Sequence, residues 1–355
     1  MSRLDFYNSQ NNEVCFAGLN ISCPRTIRPV LTDISMYFVI YGAIVLIIVG
    51  NLMVVISVSH FRKFHTATNF LNLSLATADF LLGLTVMPYS MVRSITACWY
   101  YGDQFCKVHS CIDMTLCTTS IFHLFFIALD RYYAICHPLH YCRKITISVI
   151  EIFVFLIWSV PCLYSFGLVL SNVNTEGLEG QETLVPCMGS CSLEFNSIWA
   201  IITSLLCFFI PGTLMIEIYI CIFSVAKKQV KLISNIPKSI NQKKSSKKKI
   251  LVNVENKAAR TLSLVMGVFI LCWLPFSTLR LCAHVAFLLT VADPYLNFSK
   301  SDDIYNIVLW LGYFSSAFNP TIYGLFYPWF KKSFILILTG KILQLGSSYN
   351  ILNNI

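Results

Sequence analysis

CKVHSCIDMTLCTTSIFHLFFIALDRY, residues 106–132, is the stretch that decides the fold of this chain. Between Asp113 and Asp130 it contains no acidic residue, lysine or arginine, so it can cross a bilayer, which takes roughly 20 mostly apolar residues. Asp113 and Arg131 lie about five helical turns apart, so they share one helix face at a separation of roughly 27 Å along the axis. Ionisable side chains within a membrane span are costly and usually serve a function. We therefore expect a helix with a functional carboxylate near one membrane surface and the charged triplet Asp130-Arg131-Tyr132 near the other.

The composition indicates that this helix belongs to a polytopic membrane protein. The chain has 355 residues, of which 56% are hydrophobic and only 12% are charged. A soluble domain carries about twice that charged fraction. The net charge of +9 is concentrated in residues 227–260, where ten lysines and one arginine accompany a single acid, Glu255. In a membrane protein such a segment is typical of a cytoplasmic loop, so we expect no nucleic-acid partner.

Six further apolar segments are long enough to span a bilayer, which predicts an all-α membrane protein with a seven-transmembrane helix bundle. These spans are residues 34–61, 68–92, 146–170, 195–223, 261–289 and 304–325. After Tyr327, basic Lys331, Lys332 and Lys341 lie beside an apolar face, which predicts a short amphipathic eighth helix that contacts lipid at the inner membrane surface.

The loops predict the orientation and the domain organisation. The segments rich in lysine and arginine all fall on the side of the C-terminus, which places the N-terminus outside the cell. We expect an extracellular tail over 1–33, with a glycosylation sequon at Asn20, and a transmembrane domain over 34–325 with a basic third intracellular loop at about 226–260. Residues 326–355 would hold the amphipathic helix and a short cytoplasmic tail.

Asp79 lies at the middle of the second span, where a carboxylate needs polar partners. Asn51, Ser120, Ser316 and Asn319 are its candidate neighbours. Two interpretations are open. Asp79 is either a structural carboxyl in a hydrogen-bonded network or part of a site for a small cation such as sodium, because hard cations prefer carboxylate and hydroxyl oxygens. We expect no other cofactor.

Asp113 is expected in the outer half of the bundle. In one interpretation it pairs only with a tyrosine such as Tyr313. In the other it is the counter-ion of an ammonium group, which the rings of Trp273, Phe276 and Trp310 would surround with their π faces. We favour the second interpretation, which predicts an amine ligand.

The size of that amine depends on whether the site offers a second carboxylate. The fifth span offers Thr203 and Ser204, which can hydrogen-bond but cannot neutralise a second ammonium group. Asp303 is a second-cation candidate, but it is expected roughly 15 Å further out along the seventh helix than the pocket. We therefore expect a small monoamine and keep a long polyamine, which would bridge Asp113 and Asp303, as the alternative.

Arg131 is flanked by Asp130 and is expected near Glu255 at the inner start of the sixth span. A plain interfacial ion pair is one interpretation. A pair that joins two helices and breaks when they move would instead hold the resting state of a two-state protein.

Taken together, these residues resemble the rhodopsin-like (class A) family of G-protein-coupled receptors over the whole chain. The matching motifs are Gly50-Asn51, Leu75-Ala76-Thr77-Ala78-Asp79, Asp130-Arg131-Tyr132, Trp158, Pro211 with Tyr219, Cys272-Trp273-Leu274-Pro275 and Asn319-Pro320-Thr321-Ile322-Tyr323. Within the aminergic branch, MPYSMVRS at 87–94, CWYYGDQFCK at 98–107 and Tyr327-Pro328-Trp329-Phe330 look like trace amine-associated receptors.

The resemblance implies a ligand pocket and a relay to the inner face. The pocket would comprise Asp113, Met114, Cys117, Thr203, Ser204, Trp273, Phe276, Trp310 and Tyr313. The residues that rearrange on activation would be Ile121, Asp130, Arg131, Tyr132, Pro211, Tyr219, Glu255, Phe269, Asn319, Pro320 and Tyr323. An amine that binds the active state more tightly would shift the population toward it.

The family pattern also bears on the six cysteines in segments placed outside the cell. It implies a Cys106–Cys191 disulfide. The tail would then be joined to the following loop by Cys23–Cys187, which leaves Cys15 and Cys98. The alternative of Cys15–Cys187 with Cys23–Cys98 stays open, because sequence does not determine connectivity.

The implied partners are a stimulatory or olfactory-type heterotrimeric G protein, which would raise cyclic AMP, and arrestin at the plasma membrane. Olfaction is the implied role. A serotonin- or catecholamine-type receptor and a polyamine receptor are alternatives within the class. An amine transporter is the alternative from another class, but it predicts inverted repeats, which we do not find. No catalytic motif such as HExxH or GxSxG occurs, so we expect no enzyme.

Overall fold

A computed structural model describes residues 14–19, 21–175, 187–191, 193, 195–234, 242–290 and 302–343 of the chain. It contains seven long helices, α1–α7, and a shorter α8. They are α1 Val30–His60, α2 Ala67–Thr96, α3 Asp103–Cys136, α4 Ile147–Leu170, α5 from Ser197–Ser204 through Leu205–Phe209 to Ile210–Ser234, α6 Gln242–Thr290, α7 Asp302–Phe326 and α8 Pro328–Leu338. A short helix, Pro138–Lys144, joins α3 to α4. The expected all-α architecture with seven bundle helices is confirmed.

Six of the described helices, α1–α6, are long and apolar enough to cross a membrane. Helix α7 has 25 residues, more than the roughly 20 that a bilayer requires, but its most apolar segment is less apolar than those of α1–α6. Its buried face carries Ser315, Ser316 and Asn319. The polarity of α7 therefore comes from side chains that point into the protein.

Helix α3 lies in the middle of the bundle and packs against α2, α4, α5 and α6. Helix α7 packs on α6 and α1 and so closes the ring of helices. This arrangement turns one face of α3 toward the other helices along its whole length, and both Asp113 and Asp130 lie on that helix. The fold thus connects an outer site and an inner site through one rigid element.

Two of the five prolines that were expected to bend their helices follow π turns. Leu82–Val86 precedes Pro88 in α2, and Leu205–Phe209 precedes Pro211 in α5. A proline ring removes a backbone donor and crowds the preceding turn, and a π turn accommodates one extra residue there. The sequence predicted the bends but not the π turns. The remaining three, Pro161, Pro275 and Pro320, lie inside α4, α6 and α7.

The tail before α1 is joined to the outer loops by disulfides. Cys15 pairs with Cys98, Cys23 with Cys187, and Cys106 with Cys191. The first-choice pairing is therefore confirmed, and the alternative of Cys15–Cys187 with Cys23–Cys98 is wrong. Helix α1 begins at Val30, four residues before the apolar span that was expected to start at 34. The sequon residue Asn20 lies outside the described residues.

Candidate functional site

Asp113 lies half-buried on α3 with its two carboxylate oxygens in different environments. Tyr313 of α7 donates a hydrogen bond to Oδ2 at 2.7 Å. Among the described residues, the donor to Oδ1 is the Cys117 thiol, with 3.3 Å between sulfur and oxygen. A thiol is a weak donor, so Oδ1 keeps acceptor capacity for an ammonium group. The tyrosine pair is therefore present, and it leaves one oxygen for a ligand.

Tyr313, the tyrosine that donates to this carboxylate, belongs to a cluster of aromatic rings. Tyr313 is fully buried, and its ring centroid lies 6.3 Å from that of Trp273 and 5.3 Å from that of Trp310, both in edge-to-face geometry. Phe276 packs edge-to-face on Trp273 at 5.8 Å. Both indole N–H groups donate to serine hydroxyls, at 3.2 and 3.0 Å, so the two tryptophan rings are held in place. The structure thus brings the expected aromatic residues together in one cluster with Tyr313, the hydrogen-bond partner of Asp113.

The side of the site formed by α5 is less available than expected. The hydroxyls of Thr203 and Tyr164 share a hydrogen bond at 2.8 Å, and Ser204 Oγ donates to the carbonyl of Ala200 at 2.8 Å. Thr203 and Ser204 are both buried. Met114 packs against the apolar cluster between α4 and α5. A ligand would have to exchange these internal hydrogen bonds for its own, and Tyr164 is a neighbour that the sequence did not point to.

Two arginines at the outer end of the site were not predicted. Half-buried Arg93 on α2 donates to the carbonyl of Cys191 at 3.2 Å. Arg280 on α6 lies over the ring of Phe195, with the guanidinium carbon 4.3 Å from the ring centroid. A signal for Arg280 was present in the sequence, because it follows Trp273 by about two helical turns and so shares its helix face.

Asp303, the second-cation candidate, is already paired. Its Oδ1 accepts a hydrogen bond from Arg28 Nη2 at 2.6 Å, and Arg28 Nη1 donates to the carbonyl of Ile95 at 2.7 Å. Arg28 of the tail therefore occupies the position at Asp303 that the second ammonium group of a polyamine was expected to take. No periodicity relates a tail residue to α7, so the sequence could not show this contact.

Asp79 is fully buried and accepts three hydrogen bonds. Ser120 and Ser316 donate to Oδ1 at 3.1 and 2.8 Å, and Asn319 donates to Oδ2 at 2.6 Å. Asn51 donates to the carbonyl of Ser316 at 3.1 Å, while its own Oδ1 is buried with no hydrogen-bond partner in the structure. Three of the four expected neighbours therefore bond to Asp79, Asn51 adjoins them through Ser316, and carboxylate and hydroxyl oxygens of this kind fit a small hard cation. Elsewhere, the described residues contain no group of three or more His, Cys, Asp or Glu that could hold a metal ion.

Arg131 is paired within the inner end of α3 itself. Its Nη2 and Nε donate to Asp130 Oδ2 at 2.6 and 3.0 Å, and Nη2 also contacts the hydroxyl of Thr68. Tyr141, on the short helix Pro138–Lys144, donates to the other oxygen of Asp130 at 2.8 Å. Thr68 and Tyr141 were not predicted. The side chain of Glu255 lies outside the described residues, so its expected pair with Arg131 stays a prediction.

The other residues expected to rearrange lie along the interior between the two sites. The buried ones are Ile121, Pro211, Tyr219, Phe269, Asn319, Pro320 and Tyr323, and Tyr132 is half-buried. Tyr323 donates to Asn72 at 3.2 Å, and its ring stacks on Phe330 of α8. Phe269 lies 6.3 Å from Trp273, between centroids. A continuous set of packed side chains thus joins the outer site to the inner one.

Comparison with known proteins places this geometry in a family. Residues 50–323 match the family described as "7 transmembrane receptor (rhodopsin family)". Trace amine-associated receptor 4 of Rattus norvegicus is 51% identical over 98% of this chain and 97% of that receptor. Trace amine-associated receptor 2 of Rattus norvegicus is 46% identical over 95% of this chain and 94% of its own length. Trace amine-associated receptor 13c of Danio rerio is 44% identical, covering 95% of each chain. The chain therefore belongs to the rhodopsin family of seven-transmembrane G-protein-coupled receptors, and within it to the trace amine-associated receptors.

Proposed function

We propose that this receptor is activated by a small amine whose ammonium group binds Asp113. The observation that carries the proposal is the carboxylate itself, since its Oδ1 has only a thiol as donor among the described residues and its partner Tyr313 belongs to an aromatic cluster. A charged acceptor next to π faces is the environment that stabilises an organic cation. The names of the relatives, which are receptors associated with trace amines, support the same ligand class.

Activation is proposed to be a shift between two populated states. An amine that binds the active state more tightly stabilises it by the difference between its two binding free energies. The packed residues from Trp273 through Phe269 to Tyr323 would carry the change to the inner face, where the Asp130–Arg131 pair holds the resting state. Asp79 with Ser120, Ser316 and Asn319 is proposed as a sodium site, whose occupancy would favour that resting state.

The proposed setting is the plasma membrane, with the N-terminus outside the cell and the G protein bound at the inner face. A stimulatory, olfactory-type G protein that raises cyclic AMP is the proposed partner, with arrestin as the second, and detection of volatile amines is the proposed role. The disulfides of the tail and outer loops support this orientation, because disulfides persist in oxidising compartments. Family membership favours a receptor over the transporter alternative.

Asp113→Asn tests the proposal with a nearly isosteric change that removes the charge. Loss of one partner of a buried charge pair costs about 3–5 kcal/mol, so agonist potency should fall by several hundredfold or more. The measurement is a cyclic-AMP response to a panel of trace amines, serotonin, catecholamines and polyamines in cells with matched surface expression. The panel also separates the trace-amine assignment from the other aminergic alternatives.

Asp103→Asn is the matched control, because Asp103 is exposed in the first turn of the same helix. It should leave the response unchanged. An Asp113→Asn receptor that reaches the surface and responds with normal potency would overturn the amine assignment. If the receptor instead raises calcium or inhibits cyclic-AMP formation, and Asp113→Asn abolishes that response, the assignment of the amine ligand stands. The proposed G protein would then be wrong.

A further inference from the structure

The charges around the proposed ammonium site are not those of a site for a simple amine. Among the residues that the structure describes there, Asp113 contributes one negative charge, whereas Arg93 and Arg280 contribute two positive charges at the outer end. Asp303 adds nothing to balance them, because it is paired with Arg28. A ligand that carries only positive charge is therefore attracted by one group and repelled by two.

Arg280 is the less satisfied of the two arginines. Arg93 donates to the carbonyl of Cys191, whereas Arg280 lies over the face of the Phe195 ring. Across the residues described, no carboxylate lies within 4 Å of Arg280, and no acceptor is hydrogen-bonded to its N–H groups. A guanidinium has five N–H donors in a fixed plane, so this half-buried group retains the capacity to bind an anion.

Arg280 also lies further out on α6 than the aromatic residues near Asp113. It lies about two helical turns, or roughly 10 Å, outward from Trp273 on the same face of α6, with Phe276 between them. On the opposite side, Met114 follows Asp113 directly and packs against the cluster that contains Phe195, the ring beneath Arg280. Tyr164 of α4, whose hydroxyl shares a hydrogen bond with Thr203 of α5, packs against the same cluster. The guanidinium therefore lies on the same side-chain cluster that Met114, the chain neighbour of Asp113, also contacts.

We propose that the preferred agonist of this receptor is zwitterionic, with an ammonium group at Asp113 and a carboxylate at its far end bound by Arg280. Arginine pairs with carboxylates through two parallel hydrogen bonds, which gives geometric selectivity as well as attraction. Arg93 adds to the positive potential at the same end, and a net-neutral ligand avoids the repulsion that a monoamine meets. A diamine would place its second ammonium group near Arg93 and Arg280, and both guanidinium groups would repel it. This inference rests on the proposed amine site and narrows its ligand class.

The test compares four compounds that share one skeleton. They are 4-(2-aminoethyl)benzoic acid, its primary amide, phenethylamine, and 4-(aminomethyl)phenethylamine as the diamine. Binding is measured as the concentration-dependent thermal stabilisation of the purified full-length receptor, which does not depend on the G protein. The acid should bind at least about tenfold more tightly than the amide and phenethylamine, because a charged hydrogen bond is worth about 1.5–3 kcal/mol. The diamine should bind most weakly.

Variants at Arg280 then test whether this residue binds the carboxylate of the ligand. Arg280→Gln should reduce the affinity of the acid by about 10- to 100-fold, to that of the amide, and leave phenethylamine binding intact as evidence of folding. Arg280→Lys should restore part of the preference, and Arg280→Glu should reverse the order so that the diamine binds best. Lys107→Gln, which removes an exposed cation from the outer end of α3, should preserve the wild-type order.

The outcomes separate this inference from the amine proposal. If Asp113→Asn abolishes binding of all four compounds but the acid and the amide bind the wild-type receptor equally, the amine site stands and the zwitterion is overturned. If the acid binds Asp113→Asn normally, the amine proposal itself fails. Glu194 precedes Phe195 in the chain and lies outside the described residues, so Glu194→Gln is included. If the benzoic acid is preferred only in the Glu194→Gln receptor, the Glu194 side chain already pairs with Arg280 in the wild-type receptor. The inference would then be wrong.

Discussion

At Gly50 of α1, a single missing methyl group sets how closely two helices approach. A Cβ atom at this position would lie 2.8 Å from Cγ of Pro320 on α7, closer than carbon atoms pack. The ring of a proline is part of the backbone and cannot move aside as a flexible side chain can. The motifs Gly50-Asn51 and Asn319-Pro320 are thus two sides of one contact.

Gly50→Ala should destabilise the receptor even though alanine forms helices better than glycine by about 1 kcal/mol. Overpacking in a rigid interior costs about 1–3 kcal/mol, so the midpoint of thermal unfolding of the purified receptor and its surface expression should both fall. Gly42→Ala is the matched control, since it lies on the same helix with no atom within 4 Å of the added methyl group. Equal stability of the two variants would contradict the close packing of α1 on α7.

Single residues also show what the sequence could predict of the site. Tyr313 as a partner of Asp113, and three of the four candidate partners of Asp79, were predicted correctly because each lies on an apolar span, where helical rise determines depth in the membrane. Arg28 and Tyr141 could not be predicted, because each belongs to a segment whose path between or beyond helices no periodicity describes. Depth could therefore be inferred from the sequence, whereas contacts made by the tail and loops could not.

At the scale of elements, the helices were predictable and their internal irregularities were not. An apolar span requires a helix, because every backbone group must be satisfied within the bilayer. A π turn such as Leu82–Val86 meets the same requirement with one more residue per turn, so hydropathy does not distinguish it from an α turn. The prolines indicated where the two irregular turns lie, but the sequence did not show that these turns are π turns.

The short helix Pro138–Lys144 is an element whose contribution follows from one contact. Its Tyr141 donates to Asp130, the residue that pairs with Arg131. Burial and the nearby Asp130 carboxylate raise the pKa of Tyr141 to about 12, so the phenol stays a donor at physiological pH. Tyr141→Phe removes one hydrogen bond to a buried carboxylate, worth about 1.5–3 kcal/mol. If this contact holds the resting state, basal cyclic AMP should rise several-fold at matched surface expression.

Tyr133→Phe is the matched control for that change. Tyr133 lies on the same inner end of α3, and its hydroxyl has no hydrogen bond among the described residues. Basal signalling should stay at the wild-type level in this variant. A Tyr141→Phe receptor with unchanged basal activity would show that the short helix does not restrain Asp130.

At the scale of the whole molecule, the tail is joined to three separate parts of the outer surface. Cys15 binds it to the loop between α2 and α3, Cys23 to the loop before α5, and Arg28 to the start of α7. The sequence indicated the disulfides, since cysteines outside the cell pair with one another. It did not indicate the ion pair with Asp303. The expected contributions of these links to the free energy of unfolding differ enough to rank them.

The disulfide should stabilise the molecule more than the ion pair does. The Asp303 side chain is 70% exposed, and exposed ion pairs contribute under about 1 kcal/mol because water and salt screen them. A native disulfide typically contributes about 2–5 kcal/mol. Cys15→Ser/Cys98→Ser should therefore lower the midpoint of thermal unfolding of the purified receptor clearly more than Arg28→Gln does. Cys282→Ser, at an exposed free cysteine of α6, controls for loss of a thiol and should change nothing. A larger loss from Arg28→Gln would mean that contact with α7, and not the covalent link to the loop, is what keeps the tail in place.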